Sequence, residues 1–556
     1  MKDKEGATLT KKEDQLKRWA EHFEEILNRD APTNPPNIPP AELQLQVNTG
    51  MPTKEEISKA IGKIKRGKAP GPDGIPPEAL KGDVQTNVDI LHKLYRKVWE
   101  EEEIPEDWRQ GHLIKLPKKG DLTECQNWRG ITLLSIPGKV LNRIILDRLK
   151  KELDGRLRDE QAGFRKDKSC TDQIATLRII VEQSIEWNSS LYMTFIDYEK
   201  AFDSLDRNIL WSLMRHYGIP EKFVRIIQKT YNDSVCKVVH SGTLTDPFKV
   251  HSGVRQGCLL SPLLFLLAID WTMRRTTEDH REGIQWTLFK QLDDLDFADD
   301  IVLLSHKQQH AQNKADRLAA TARQLGLNIN KKKTKTMRIN NKQEDKLKID
   351  EEEIEEIDSF TYLGSIVSKD GGTDKDITTR IGKARTAFRI LRPLWRSKVI
   401  SRKTKLQIFN TNVKSVLLYG AETWRTTKNM TDKIQTFINR CLRNILNIHW
   451  PEKITNKELW ERSGQDKMEK QIKQRKWSWI GHTMRKPMTN PTRQALRWNP
   501  QGKRRRGRPY NSWRRSTEAE AREAQYTWHQ LETAAPNRVR WRRIVEDLCS
   551  PRSNRD

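Results

Sequence analysis

Two adjacent carboxylates, Asp299 and Asp300, interrupt the apolar stretch from Leu295 to Leu304, and any fold that buries this stretch must accommodate them. The flanks read as β-strands, because Ile301 to Leu304 is an aliphatic run bounded by polar residues and too short for a buried helix. The acids then fall at a hairpin tip. Neighbouring carboxylates repel, and one pKa rises unless a cation or hydrogen-bond donors neutralise the pair, so the most demanding use of such a pair is to bind a divalent metal. A solvated Asp-Asp turn has the same local pattern. The dipeptide alone leaves both readings open.

The charge balance narrows the choice. The chain has 102 Lys+Arg against 75 Asp+Glu, a formal net charge of +27, which favours a polyanionic partner. Nucleic acid is the first such partner and an anionic membrane surface the alternative. No apolar run approaches the ~20 residues that span a bilayer, and no signal-peptide core opens the chain, so the expectation is a soluble protein of the nucleus and/or cytoplasm. The six cysteines are scattered without a C-x-x-C pair, which supports neither a zinc site nor a disulfide framework. At 556 residues the length suggests about three or four domains.

Residues 10 to 29 place Leu16, Trp19, Phe23, Ile26 and Leu27 at helical spacing, an amphipathic helix that needs a partner surface. The Pro-rich stretch 31 to 40 reads as an extended linker. Thr53 and Glu56 form a capping box for the next helix, which stops at the Pro/Gly turn 68 to 75; with Lys63, Lys65, Arg66 and Lys68 leading in, that turn is either a phosphate cradle or a plain loop. Two apolar stretches, 112–117 and 130–135, form a hairpin whose link carries Lys118, Lys119 and Arg129, and a second basic loop at 161–169 carries Arg165, Lys166 and Lys168. Such loops could clamp a triphosphate or could be solvated charge.

The run Leu191 to Ile196 is a strand that ends at Asp197, and an acid there requires a cation or donors in return for its burial. Asp203 and Asp206 read as helix N-terminal acids. In the segment 252–262, Gly253 and Gly257 permit close approach to the backbone, while Arg255 and Gln256 supply donors. Beyond the acidic hairpin come a helix closing at Gly326, a lysine-rich stretch at 331–335, a strand pair at 359–367, and helices from about Asp374 onward. The last hundred residues combine seven tryptophans with Lys503, Arg504, Arg505, Arg506 and Arg508. Cations with interleaved aromatics suit structured or single-stranded nucleic acid, although tryptophans of a small helical domain would also serve as core. The basic run itself reads as an RNA contact or a nuclear-import signal.

Taken in order, KAPGPDGI, NWRGITLLS, QAGFRKDKSCTDQI, FIDYEKAFDSLD, SGVRQGCLLSPLLF, FADDIVLLS, GLNINKKKTK and FTYLGSIV resemble the blocks of reverse transcriptases of non-LTR, LINE-like retrotransposons, over roughly residues 52 to 367. WSWIGHTMRK and GKRRRGRPYNSWRR resemble the C-terminal part of such elements. The resemblance implies an α+β, right-hand polymerase fold: an N-terminal helix and linker at 1–50, fingers and palm at 51–372, a helical thumb at 373–449, and a basic, Trp-rich nucleic-acid-binding region at 450–556. It implies an RNA-directed DNA polymerase that uses an RNA template, a DNA primer and deoxynucleoside triphosphates, with Asp197, Asp299 and Asp300 holding two Mg²⁺ ions, Mn²⁺ being an alternative. By the same resemblance Phe202 would exclude a ribose 2′-hydroxyl, Gln256 and Gly257 would lie beside the nucleotide, Arg165 and Arg129 would face the triphosphate, and Lys333 would protonate pyrophosphate. Phe297 stands where the family usually has tyrosine. No endonuclease domain fits ahead of the polymerase blocks, so a truncated element without target-site nicking is expected. The competing expectations are a catalytically silent remnant that only binds nucleic acid, and an intron-maturase-like RNA chaperone.

Overall fold

The computed structural model describes residues 1–341, 345–504, 506–507 and 509–549. Along the chain, the elements that position the site begin with α1 (Lys12–Leu27), β1 (Gln110–Pro117), β2 (Trp128–Leu133), α2 (Ile136–Asp154), α3 (Cys170–Glu186) and β3 (Leu191–Ile196). They continue with β4 (Val235–His240), α4 (Ser261–Thr277), β5 (Asp294–Phe297), β6 (Asp300–Ser305), β7 (Lys335–Ile339), α5 (Met468–Met484) and α6 (Trp513–Glu523). These fall into two compact units that interleave in sequence. One comprises Met1–Arg165, Ile196–His280 and Asn313–Lys333, and the other Lys166–Phe195, Arg281–Gln312 and Thr334 onward. The borders expected at residues 50, 372 and 449 are not borders between these units.

In the first unit, β2, β1 and β4 lie side by side, β1 antiparallel to β2 and parallel to β4. The amphipathic α1 finds its partner surface here: Trp19, Phe23 and Ile26 share one core with Leu113, Val238 and Phe248. The Trp19 and Trp128 rings meet edge to face at 5.8 Å. The linker that follows is tied down by backbone bonds from Leu45 to Gly218 (2.7 Å) and from Ala41 to Arg215 (3.0 Å). The capping box at Thr53 is present, and the helix it opens ends at Lys63.

The second unit is built on a sheet in which β7, β3, β6 and β5 are successive neighbours. All six residues of β3 are buried, as an apolar run covered on both faces requires. Helix α3 opens with a capping box, Ser169 with Asp172, and is buried on nearly every side. Its apolar residues Ile174, Leu177 and Ile180 pack in one core with Leu295 and Val302 of the hairpin and with Trp477, Trp498, Trp513 and Trp541. Those tryptophans are therefore core residues, which decides that expectation against base stacking. The helices after Asp374 close a second core around Phe409, Trp424 and Leu442. All six cysteines are free thiols. Among the described residues, no helix is long and apolar enough to cross a membrane.

Candidate active site

In the second unit, β5 and β6 form the expected antiparallel hairpin. Asp300 pairs with Phe297, which leaves Ala298 and Asp299 as a two-residue turn. Ala298 has φ = 58°, in the left-handed region that hairpin turns usually give to glycine or asparagine. Holding an alanine there costs about 1–3 kcal/mol and persists only where the surroundings over-determine it. Two side chains grip β5 from behind: Gln173 Nε2 donates to the Asp296 carbonyl at 2.8 Å and the Tyr362 hydroxyl to that of Leu295 at 3.2 Å. The two acids differ in position: Asp299 sits within the turn, while Asp300 opens β6 and is exposed.

In the first unit, Asp197 directly follows β3. Its carbonyl accepts the Asn330 N–H at 2.7 Å, and Glu199 N–H donates to the Asn328 carbonyl at 2.8 Å. The lysine-rich stretch is thereby laid along the chain after Asp197, and Lys333 Nζ comes to 3.4 Å from Asp197 Oδ1. The two side chains are 66% and 38% exposed, so the pair is screened by solvent and readily displaced.

Six residues on, Asp203 lies in the first turn of a short helix, Ala201–Ser204, as expected of a helix N-terminal acid. Asp206 caps the next helix, accepting the Ile209 N–H at 3.0 Å. Asp203 also accepts both bonds of one amide, Gln256 Nε2 lying 3.0 and 3.1 Å from its two oxygens. Burial pushes its carboxyl up to about 6, opposed by the Gln256 hydrogen bond and by Lys200, Lys118 and Arg129. Burial likewise brings Lys200 down to about 8, helped by Arg29 and Lys118. Lys118 is also lowered, by burial first and then by Arg129 and Lys333. Cations from the β1–β2 hairpin, the Asp197 turn and the lysine stretch thus share one electrostatic neighbourhood with two acids.

The glycines of the 252–262 segment serve close approach, as expected, but to protein backbone. A Cβ on Gly257, whose φ is +126°, would lie 2.3 Å from the Thr132 carbonyl oxygen. One on Gly253 would lie 2.6 Å from the Asp203 backbone. Thr132 N–H donates to the Gln256 carbonyl at 2.7 Å, so the Gln256 amide is aimed by its own backbone anchor. Phe202 is fixed by stacking on Phe265 of α4 (4.3 Å between centroids) and by the edge of Phe164 (6.3 Å).

Arg165 differs from its expected place at a triphosphate. Its guanidinium is buried and donates to Asp154 Oδ1 and the Asp154 carbonyl, both at 2.7 Å, and to the carbonyls of Gln161 and Arg158. It clamps the end of α2, where charge patterning alone placed it on the surface. Arg255 is similarly buried, donating to the carbonyls of Trp108, Arg109 and Thr230. Arg129 remains exposed on β2. Of the basic run in the tail, Lys503, Arg504 and Arg506 are exposed, while Arg505 and Arg508 lie outside the described residues.

Among the described residues, no group of three or more His, Cys, Asp or Glu side chains is gathered tightly enough to hold a metal ion. The donors that would serve one are nonetheless of the right kind. Asp197 of the first unit and, separately, Asp299 and Asp300 of the second offer hard carboxylate oxygens at least partly open to solvent, and Lys333 already holds a positive charge beside Asp197. A cavity of about 500 Å³ in the second unit, lined by Ser169, Glu422, Gln474, Arg475 and His482, contains none of these acids.

Residues 116–367 match the family described as Reverse transcriptase (RNA-dependent DNA polymerase), and residues 387–419 match a domain of unknown function. A Xenopus laevis protein described as "Transposon TX1 uncharacterized 149 kDa protein" is 32% identical over 218 residues, which are 39% of this chain and 17% of that protein. The "Retrovirus-related Pol polyprotein from type-2 retrotransposable element R2DM" of Drosophila melanogaster is 27% identical over 50% of this chain and 25% of its own length. The type-1 R2 polyprotein of Popillia japonica is 26% identical over 72% of this chain and 55% of its own length. The chain thus spans little more than half of these relatives at most. Among solved structures, Candida Tropicalis telomerase with a telomeric RNA fragment aligns at 13% identity and a TM-score of 0.35, over 73% of this chain and 68% of that one. Residues 116–367 are thus similar to reverse transcriptases, and several of the relatives that the chain resembles are named for retrotransposable elements.

Proposed function

We propose that this chain is an RNA-directed DNA polymerase that copies an RNA template into cDNA from a DNA primer and deoxynucleoside triphosphates. The observation that carries the reading is the match of residues 116–367 to reverse transcriptases, a stretch that includes Asp197 just after β3 and Asp299–Asp300 at the turn into β6. In this reading Asp197 and Asp299 hold divalent metal, with Asp300 supporting the site. Two bound Mg²⁺ or Mn²⁺ ions would supply activation of the primer 3′-hydroxyl and neutralise charge on the leaving pyrophosphate.

The remaining roles belong to the chain's own side chains. Lys333, which pairs with Asp197, would donate a proton to the leaving pyrophosphate. Arg129, Lys118 and Lys200 keep positive charge beside the acids and attract the triphosphate. Phe202, immobilised by Phe265, closes the space a ribose 2′-hydroxyl would need. Asp203 and Gln256 fix one another next to that ring. Gly257 supports this arrangement through backbone contact.

The test is primer extension on an RNA template with a DNA primer in Mg²⁺. Asp299→Asn should abolish incorporation, and equal activity in the two proteins would refute the mechanism. Binding that weakens linearly in log salt without turnover in any metal would leave a nucleic-acid-binding remnant as the answer. Phe202→Ala should raise ribonucleotide incorporation relative to deoxyribonucleotide; unchanged sugar discrimination would remove the steric gate.

A further inference from the structure

The chain beyond the reverse transcriptase match is built into the support of the catalytic turn. On α3, Asp172 Oδ2 lies 2.7 Å from Lys486 Nζ with both side chains buried, and Asp172 Oδ1 accepts the Trp479 indole N–H at 3.0 Å. The next residue, Gln173, holds the Asp296 carbonyl in β5. A second attachment is made just ahead of β5. The Trp286 ring stacks on Trp498 at 5.1 Å, its N–H donates to Gln494 Oε1 at 2.7 Å, and the Trp498 N–H donates to the Gln285 carbonyl at 2.9 Å.

The attaching segment is itself stiff. Lys476 Nζ and the Trp477 N–H, both on α5, reach the Glu520 carboxylate of α6 at 2.5 and 2.8 Å. A Cβ on Gly481 would collide with the Trp541 indole at 2.0 Å, so that ring packs directly on the α5 backbone. Meanwhile Ala298 is held in a backbone region that alanine leaves unless its neighbours prevent it.

We infer that residues 468–549 are a positioning element of the polymerase, fixing through Asp172 on α3 and through Gln285 and Trp286 the strand that delivers Asp299 and Asp300. The inference rests on the polymerase reading above. It assigns the tail's tryptophans to catalytic geometry, and leaves nucleic-acid contact to the exposed Lys503, Arg504 and Arg506.

The experiment uses the full chain and three variants: Gln494→Leu, which removes the acceptor for the Trp286 indole; Gln494→Glu, which keeps one; and Lys486→Met. Single-turnover incorporation and the Kd for a template–primer duplex are measured together with amide hydrogen exchange over residues 294–304. Because small misplacements of reacting groups are costly, Gln494→Leu should slow single-turnover incorporation roughly tenfold with Kd unchanged within about twofold. Exchange over 294–304 should accelerate, and Gln494→Glu should restore both. Lys486→Met should follow Gln494→Leu; if it fails to fold, the Gln494 pair decides. A weakened Kd with an unchanged rate for the bound complex would overturn the inference and make the tail a binding surface. Unchanged exchange over 294–304 would overturn it regardless of activity. An inactive wild type would count against the polymerase reading, and the exchange result would still decide the positioning one.

Discussion

Replacing Glu182 by glutamine should make the protein more stable in mild alkali, although it removes a charge that faces three arginines. Glu182 lies on α3, and its Oε2 accepts the Trp513 backbone N–H at 2.8 Å, at the start of α6. Burial raises its carboxyl to about 7, against the Trp513 hydrogen bond and the pull of Arg425, Arg178 and Arg514. In the unfolded chain it titrates at its ordinary 4.5. The folded pKa exceeds the unfolded one, so the stability contributed by the protonated form is complete below pH 4.5 and is lost as pH rises through 7. At about 1.4 kcal/mol per pH unit, the gap between 4.5 and 7 sets a loss of about 3 kcal/mol by pH 8. Glutamine keeps an acceptor for Trp513 and does not titrate. Urea unfolding of both proteins at pH 5, 6, 7 and 8 isolates the effect, because every other titrating group cancels in the difference. Glu182→Gln should gain on the wild type from pH 5 to pH 8 by up to that amount. A difference that stays flat with pH would refute the reasoning, and one that falls would show that the arginines, rather than burial, govern this carboxylate.

Two further changes test the support of the site. Asp376 accepts from Arg178 (2.9 Å), Ser365 Oγ (2.7 Å), the Trp424 indole (2.9 Å) and the Ile366 N–H (2.9 Å), so Asp376→Ala strands a buried guanidinium. It should lower the free energy of unfolding by about 3–5 kcal/mol, read from the urea midpoint. Gly257→Ala sets a methyl group against the Thr132 carbonyl in a backbone region closed to alanine. It should lower the melting temperature and weaken incorporation together, and a variant of full stability and activity would show that the segment can move.

What the sequence made legible was whatever depends on neighbours in the chain. The hairpin around Asp299, the burial of Leu191–Ile196, the Thr53 cap and the apolar face of α1 all follow from periodicity and local chemistry. Arg165 escaped because patterning assigns charge to the surface, and only the fold reveals the carbonyls that receive Arg165 and Arg255 and the amide that meets Asp203. The Ala298 turn escaped for a related reason: the residue usual at such a position is glycine, and the strain is imposed by strands packed from far along the chain. One signal was available in α3, where Asp172, Arg178, Glu182 and Glu186 interrupt a helix otherwise apolar enough to be buried.

Those four residues bear on how the second unit becomes stable. Burying ionisable groups on one helix is unfavourable unless each meets a partner, and all four find theirs late in the chain. Arg178 waits for Asp376, 198 residues on; Asp172 for Trp479, 307 residues on; Glu182 and Glu186 for Trp513 and Arg515, 331 and 329 residues on. Without those segments Arg178, Glu182 and Glu186 would lose these partners, and Asp172 would keep only its capping bond from the Ser169 N–H. The helix that leads into β3, and so to Asp197, therefore owes part of its burial and of its polar partners to residues beyond 510. The reverse transcriptase match ends at residue 367, but the core of the second unit runs on to Cys549. A chain cut at the end of the match would retain Asp197, Asp299 and Asp300 and lose the contacts that hold the strands beneath them.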